Sequence, residues 1–400
     1  MSYTDGWSRG LLDGRAKNIR EYLAENELKA LVVSDVLNTI YVSGFFVDVS
    51  PWERPIATVI PLEAEPFMVL CELSINHVKF ALEQGRGWIK DIRFYMEHPR
   101  HANRLYTRNE WAKLLSETLE ERRITRGRIG VDTTPESLEH KLKPHLPELK
   151  VVDASKLLRE MRLIKSEEEL DIIRKGGELT NWAQVKLKEA VEVGKSWIEL
   201  GAEVTYLMAK EAAKRYPNYD ITVGAGGTGL GPFSAMPHGP GGYDGRKIQK
   251  GDVINNGTFA SLQRYAVENE RTLIVGKPTE EQKKLFEVAT EAQERAVEMC
   301  VAGNRLSDID AAAQGVIEKA GYGDCIMHRT GHGMGLGGHE YWDDMPFNHR
   351  ILKPGMVTSV EPGIYLYGFG GFRHSDTVII GKDKPEVVTK YTKQLEDLIV

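Results

Sequence analysis

His332 and His339 stand seven residues apart in the glycine-rich stretch His328-Arg329-Thr330-Gly331-His332-Gly333-Met334-Gly335-Leu336-Gly337-Gly338-His339-Glu340, and Glu361 follows in Val360-Glu361-Pro362-Gly363. Glycines between the histidines let the backbone come close to a ligand and bring imidazoles with it. Upstream lie His238, in Met236-Pro237-His238-Gly239-Pro240, and the carboxylates Glu268 and Glu270, in Tyr265-Ala266-Val267-Glu268-Asn269-Glu270-Arg271-Thr272. A histidine accepts and donates a proton near neutral pH, and carboxylates facing it orient it and favour its cationic form. The same carboxylates suit a planar amidinium or guanidinium through paired charge-assisted hydrogen bonds.

The order of these stretches, with Lys250-Gly251-Asp252-Val253-Ile254-Asn255-Asn256-Gly257 before them and Gly371-Phe372-Arg373-His374-Ser375-Asp376-Thr377 after, resembles the family of creatinase, prolidase, aminopeptidase P and methionine aminopeptidase. The resemblance covers about residues 160 to 390, with a weaker likeness before it. It implies an α/β amino-terminal domain, residues 1–158, and an α+β pita-bread catalytic domain, residues 159–400, whose curved antiparallel sheet is covered by helices.

Metallopeptidases of this family hold two metal ions with two Asp, one His and two Glu. The matching positions here are Asn255, Glu268, His332, Glu361 and Ser375. Hard divalent ions need anionic oxygen donors, so Asn255 and Ser375 argue against a metal pair. Creatinase, the non-metal member, reads Glu-Arg-Thr where the peptidases read Thr-Arg-Thr, and Glu270-Arg271-Thr272 is similar to it. The resemblance therefore implies a metal-independent, creatinase-like hydrolase that cleaves a C–N bond of a small guanidino, amidino or related amino-acid-like substrate. On this reading no cofactor is expected. His238, His339 and Glu361 are the catalytic candidates, with His238 as acid and base, and Glu268, Glu270 and His332 bind substrate. Two alternatives stand beside it: an Xaa-Pro-type peptidase or lyase using one ion at Glu268, His332 and Glu361, and an inactive binding protein on the same fold.

In the amino-terminal domain the resemblance places Trp52 and Arg54, in Pro51-Trp52-Glu53-Arg54-Pro55, where creatinase sends an aromatic and an arginine into the partner subunit's site. Arg54 would clamp a substrate carboxylate, Trp52 or Phe45 would form a wall, and the protein would act as a homodimer.

At 400 residues the chain is long enough for two substantial cores. A net charge of -6 gives no basic footprint for nucleic acid or an anionic membrane. Cys71, Cys300 and Cys325 lack zinc-type spacing and suit a reducing compartment. The start Met1-Ser2-Tyr3-Thr4-Asp5-Gly6 shows no secretory pattern, and no apolar stretch approaches a membrane span, so a cytoplasmic protein is expected.

The elements that must carry these groups are legible by period. Leu11 to Glu27 is amphipathic, and the short apolar run at 30–34 with the stretches 56–60, 66–70, 126–132 and 149–153 read as strands of an α/β layer. The domain boundary falls near Asp153 to Lys165, after which Ser166 to Glu169 is a capping-box start. Thr279 to Gln282 opens a second long helix, and Ser307 to Asp310 opens a third that Gly321 stops.

Overall fold

The computed structural model describes residues 7–46, 49–97, 105–238, 245–340 and 344–400. Met1 to Gly6, and Gly239 and Pro240 of the His238 stretch, lie outside them. The chain divides into two compact units, Met1–Met161 and Arg162–Val400.

The first unit is built on a six-stranded sheet in the order Asp91–Tyr95, Phe67–Cys71, Ala57–Pro61, Ala30–Val33, Arg126–Val131, Glu148–Asp153. Its three central apolar runs are buried along their whole length, as expected of strands covered on both faces. Ala30–Val33 pairs antiparallel with Ala57–Pro61 and parallel with Arg126–Val131, so the sheet is mixed. The helix Arg9–Glu25 starts at Ser8, whose hydroxyl accepts from the amide of Leu11 at 3.2 Å.

The second unit carries an eight-stranded sheet in the order Glu386–Val387, Ser375–Ile379, Val357–Val360, Gly333–Gly335, Gly337–Glu340, Tyr265–Ile274, Val253–Leu262, Ile221–Leu230. Pairing is antiparallel throughout except for one parallel contact, Gly337 with Tyr265. Ser375–Ile379 pairs with Val357–Val360 and also with Tyr265–Ile274, where Ser375 faces Glu270. This double pairing curls the sheet and brings residues distant in sequence to one concave face.

The helices begin where their capping residues dictate. Ser166 and Thr279 each close a capping box with Glu169 and Gln282. The third long helix differs from expectation by starting at Leu306 with Arg305 as cap: the Asp308 carboxylate accepts the Arg305 amide at 2.8 Å, while the Ser307 hydroxyl meets His349 at 3.0 Å. Gly321, at φ +89°, ends that helix in the left-handed conformation. Among the described residues no helix is long and apolar enough to cross a membrane.

Register decides which side chains face the site. Across the strands Val253–Leu262 and Tyr265–Ile274 the partners Asn255 and Thr272, Gly257 and Glu270, and Phe259 and Glu268 share one face. The other face turns to the helix Glu167–Ala190: the Thr258 hydroxyl donates to the Thr180 carbonyl at 3.1 Å, and the Asn269 amide donates to Asn181 at 3.0 Å. On that face Arg271, wholly buried, pairs with Asp376 at 2.8 Å, and Asp376 also accepts from Lys393, Gln293 and Thr389. Burial pushes the Asp376 carboxyl up, but these cations win and hold it at about 2. Asp376→Ala leaves Arg271 buried without its anion and is expected to cost about 3–5 kcal/mol in urea unfolding of the second unit. A loss of under about 1 kcal/mol, the scale of a single neutral hydrogen bond, would contradict the buried pairing.

Candidate functional site

Two backbone contacts set His332 beside Glu361. The Ser359 amide donates to the His332 carbonyl at 2.8 Å, and the Glu361 amide donates to the Thr330 carbonyl at 2.6 Å. Gly331 permits this approach, since a Cβ there would lie 2.1 Å from the Ser359 carbonyl oxygen. The His332 Nδ1 stands 3.1 Å from the Gly333 carbonyl, which fixes the proton on that nitrogen when the ring is neutral and leaves Nε2 bare. That Nε2 lies 3.3 Å from Glu361 Oε1 and 3.7 Å from Glu268 Oε1. One ligand atom from each of Glu268, His332 and Glu361 lies within 4.8 Å of the others.

The remaining neighbours set the charge. Glu270 lies beside Arg373, with Nη2 donating to Oε1 at 3.1 Å and Nε 2.6 Å from Oε2. Arg373 Nη1 is 4.0 Å from Glu361 and donates to the Pro237 carbonyl at 3.0 Å and to the Tyr365 hydroxyl at 3.2 Å. Tyr365 in turn meets His328 Nε2 at 2.7 Å. Three nearly buried carboxylates thus face one guanidinium and one imidazole.

This imbalance separates the carboxylates. Burial, then the nearby Glu361 charge, push the Glu268 carboxyl up to about 8. Burial also opposes ionisation of Glu361, but the hydrogen bond to His332 and the charges of Arg373 and His332 hold it at about 2. His332 is desolvated too, yet the Glu361 hydrogen bond and the two carboxylates raise it above its ordinary value. Glu268 holds its proton more tightly folded than unfolded, so in the metal-free protein its contribution to stability declines as pH rises from the ordinary carboxylate range to about 8. A cation bound to Glu268 and His332 must displace those protons. Its affinity is expected to rise with pH up to about 8 and flatten above, which calorimetric titration of Mn²⁺ at several pH values checks; a flat profile would contradict the assignment.

The sequence candidates fall into two groups. Glu268, Glu270, His332 and Glu361 converge, and His339 joins them with its ring stacked on His332, 3.5 Å between centroids and 12° between planes. His238 is exposed, and its charge bears on both His328 and His339. Phe45, Trp52 and Arg54 belong to the first unit. There Arg54 pairs with both oxygens of Glu97, at 3.0 and 2.9 Å, and with Glu53 at 3.0 Å; Trp52 is exposed, and Phe45 lines a cavity of about 470 Å³ with Phe46, Phe80 and His77. Sequence reasoning passes over Arg373, Tyr365 and His328. The signal available for Arg373 is that clustered buried carboxylates require a cation.

Asn255 and Ser375 do not fit a second metal ion. The Asn255 Oδ1 accepts from the Thr272 hydroxyl at 2.8 Å and its Nδ2 is a buried donor without a partner, while the Ser375 hydroxyl donates to Glu268 at 3.0 Å. Neither supplies the anionic oxygen such an ion demands. The triad, with two carboxylates and an imidazole that offers Nε2 once deprotonated, does fit one.

The profile of metallopeptidase family M24 matches residues 171–382, and that of the creatinase/prolidase N-terminal domain matches residues 15–164. An Xaa-Pro dipeptidase of Pyrococcus horikoshii is 36% identical over 257 residues, 64% of this chain and 70% of that protein. A putative dipeptidase of Bacillus subtilis, YkvY, is 29% identical over 383 residues, 95% of this chain and 99% of that protein. The crystal structure of the prolidase from Pyrococcus horikoshii superposes with a TM-score of 0.77 at 28% identity, covering 96% of this chain and 99% of that one.

These findings correct the sequence expectation at two points. The relatives are named for peptide bonds, not for amidino C–N bonds, which overturns the creatinase-like amidinohydrolase. The metallopeptidase match and the converged triad overturn the metal-independent site without cofactor. The physical reason is Glu270: the residue that suggested the non-metal branch has its charge matched by Arg373, while the three groups that suit one ion remain together. With the pita-bread profile matched over more than half its length and a creatinase/prolidase domain before it, the chain belongs to metallopeptidase family M24.

Proposed function

We propose that this chain hydrolyses the peptide bond of small Xaa-Pro-type dipeptides, using one divalent cation held by Glu268, His332 and Glu361. The observation that carries this reading is the Nε2 of His332 set between two carboxylates, at 3.3 and 3.7 Å, with one ligand atom of each of the three residues within 4.8 Å of the others. Charge supports it. The carboxylates of Glu268, Glu270 and Glu361 carry three negative charges, which Arg373 and a divalent ion balance with His332 neutral. Such an ion supplies polarisation of the scissile carbonyl and an acidified water.

The side chains do the rest. Arg373 neutralises Glu270 and, through the Pro237 carbonyl, ties down the residue before His238. His238, exposed and near His339, is assigned the proton delivered to the leaving nitrogen. His339, stacked on His332, borders the place where substrate would sit. Phe259, which shares the face of Glu268 and is 36% exposed, offers apolar surface for a side chain or ring.

The test is a panel of Xaa-Pro dipeptides, other dipeptides and creatine, each assayed with Mn²⁺, Co²⁺ or Zn²⁺ and with chelator. Cation-dependent cleavage of Xaa-Pro bonds is expected. Absence of dipeptide cleavage under every cation would sink the proposal.

A further inference from the structure

Behind the candidate site lies a buried cluster of three charges that the proposed reaction does not touch. Successive side chains of a strand point to opposite faces, so in Gly337–Glu340 the residue after His339 turns away from His332. Glu340 is accordingly buried, and four donors meet it. Its Oε1 accepts from Arg162 Nε at 3.0 Å, from Arg162 Nη2 at 2.8 Å and from the Leu336 amide at 3.1 Å, and its Oε2 accepts from Lys165 Nζ at 2.6 Å. Arg162 also donates to the Leu336 carbonyl at 2.5 Å. The three charged side chains are 1–2% exposed. Gly335 makes room for them, because a Cβ there would stand 2.5 Å from Glu340 Oε2 and 2.7 Å from Lys165 Cε.

Removing three charges from water is costly, and apolar replacements of such clusters often leave stability unchanged or higher. Stability is therefore a poor reason for this arrangement. What the bonds do fix is geometry: Leu336, in the hairpin turn, and Glu340, at the end of the strand that carries His339, are held together. We propose that Arg162, Lys165 and Glu340 form a positioning device that locks this strand against the turn so that His339 stays stacked on His332. Neither cation belongs to the ligand triad. Their effect passes through the backbone of Glu340 to the ring beside it, as an outer partner orients a site group. This inference rests on the proposed hydrolysis for its kinetic readout only.

The experiment replaces the whole cluster, Arg162→Met, Lys165→Met and Glu340→Met, so that no charge is left unpaired. The histidine Cε1–H resonances, the thermal midpoint, Mn²⁺ affinity by calorimetry, and kcat and KM for a cleaved dipeptide are then compared with the unmodified protein. The expected result is a folded protein with near-normal Mn²⁺ affinity, shifted His332 and His339 resonances, and kcat lower by about 10–100-fold with little change in KM, the scale of losing an orienting partner. Unmoved His332 and His339 resonances, or unchanged kcat, in the folded variant would overturn the proposal. If the triple variant does not fold, Lys165→Met leaves a one-to-one ion pair and serves the same test at smaller amplitude: shifted resonances support the device and unmoved ones overturn it. Failure of the functional reading is seen separately, as absence of hydrolysis in the unmodified protein, and leaves the resonance comparison intact.

Discussion

His332→Ala and Glu361→Gln are expected to lower cation affinity and dipeptide hydrolysis together, each by more than about 100-fold. Losing a group that merely orients a ligand costs about 10–100-fold, and these residues would be ligands themselves. The two losses should track each other, because both follow from one vacated coordination position. Ser375→Ala makes the useful contrast. It removes only the hydrogen bond to Glu268, at 3.0 Å, and should fall near the lower end of that orienting range. Calorimetric titration with Mn²⁺ beside steady-state kinetics checks all three variants. Wild-type cation affinity in folded His332→Ala would remove the triad from the account.

His238→Ala is expected to reduce turnover by about 10² to 10⁴, the usual size of a general acid–base contribution, while Mn²⁺ affinity stays within error. The separation follows from position. His238 is exposed and outside the triad, yet near enough for its charge to act on His328 and His339. A circular dichroism spectrum establishes that the fold is intact, and single-turnover kinetics establish that the chemical step is what slowed. Turnover near that of the unmodified protein would leave the proton without a donor among the proposed groups.

Much of this architecture was legible because local chemistry and global position agree. Three runs of the first unit, Ala30–Val33, Ala57–Pro61 and Phe67–Cys71, are strands buried along their length, and Ser166 and Thr279 cap helices where their side chains reach the third residue on. Ile221–Leu230 was not legible. Its glycines suppress strand propensity, and it survives as the outermost strand of its sheet through nine residue pairs with Val253–Leu262. Asp91–Tyr95 escapes for a related reason, since its charged residues mask a strand at the edge of the first sheet.

In the site, Glu268, His332 and Glu361 could be read from order and spacing, but their balance of charge could not. Glu270 looks in sequence like a free receptor for a cationic substrate, and only the fold shows Arg373, 103 residues away, lying against it. The cluster of Arg162, Lys165 and Glu340 joins residues 178 and 175 positions apart, beyond any local pattern. Asn255 and Ser375 carry the opposite lesson. Their loss of negative charge was plain in the sequence and argued against a metal pair, but it said nothing about whether the three remaining ligands still converge.

The central claim, one functional cation per chain, is tested most directly by stripping the protein with chelator and titrating Mn²⁺ back while bound metal and Xaa-Pro dipeptide hydrolysis are measured on the same samples. The account predicts no hydrolysis in the stripped protein and full recovery at one equivalent per chain; full hydrolysis without metal, or recovery only at two equivalents, would contradict it.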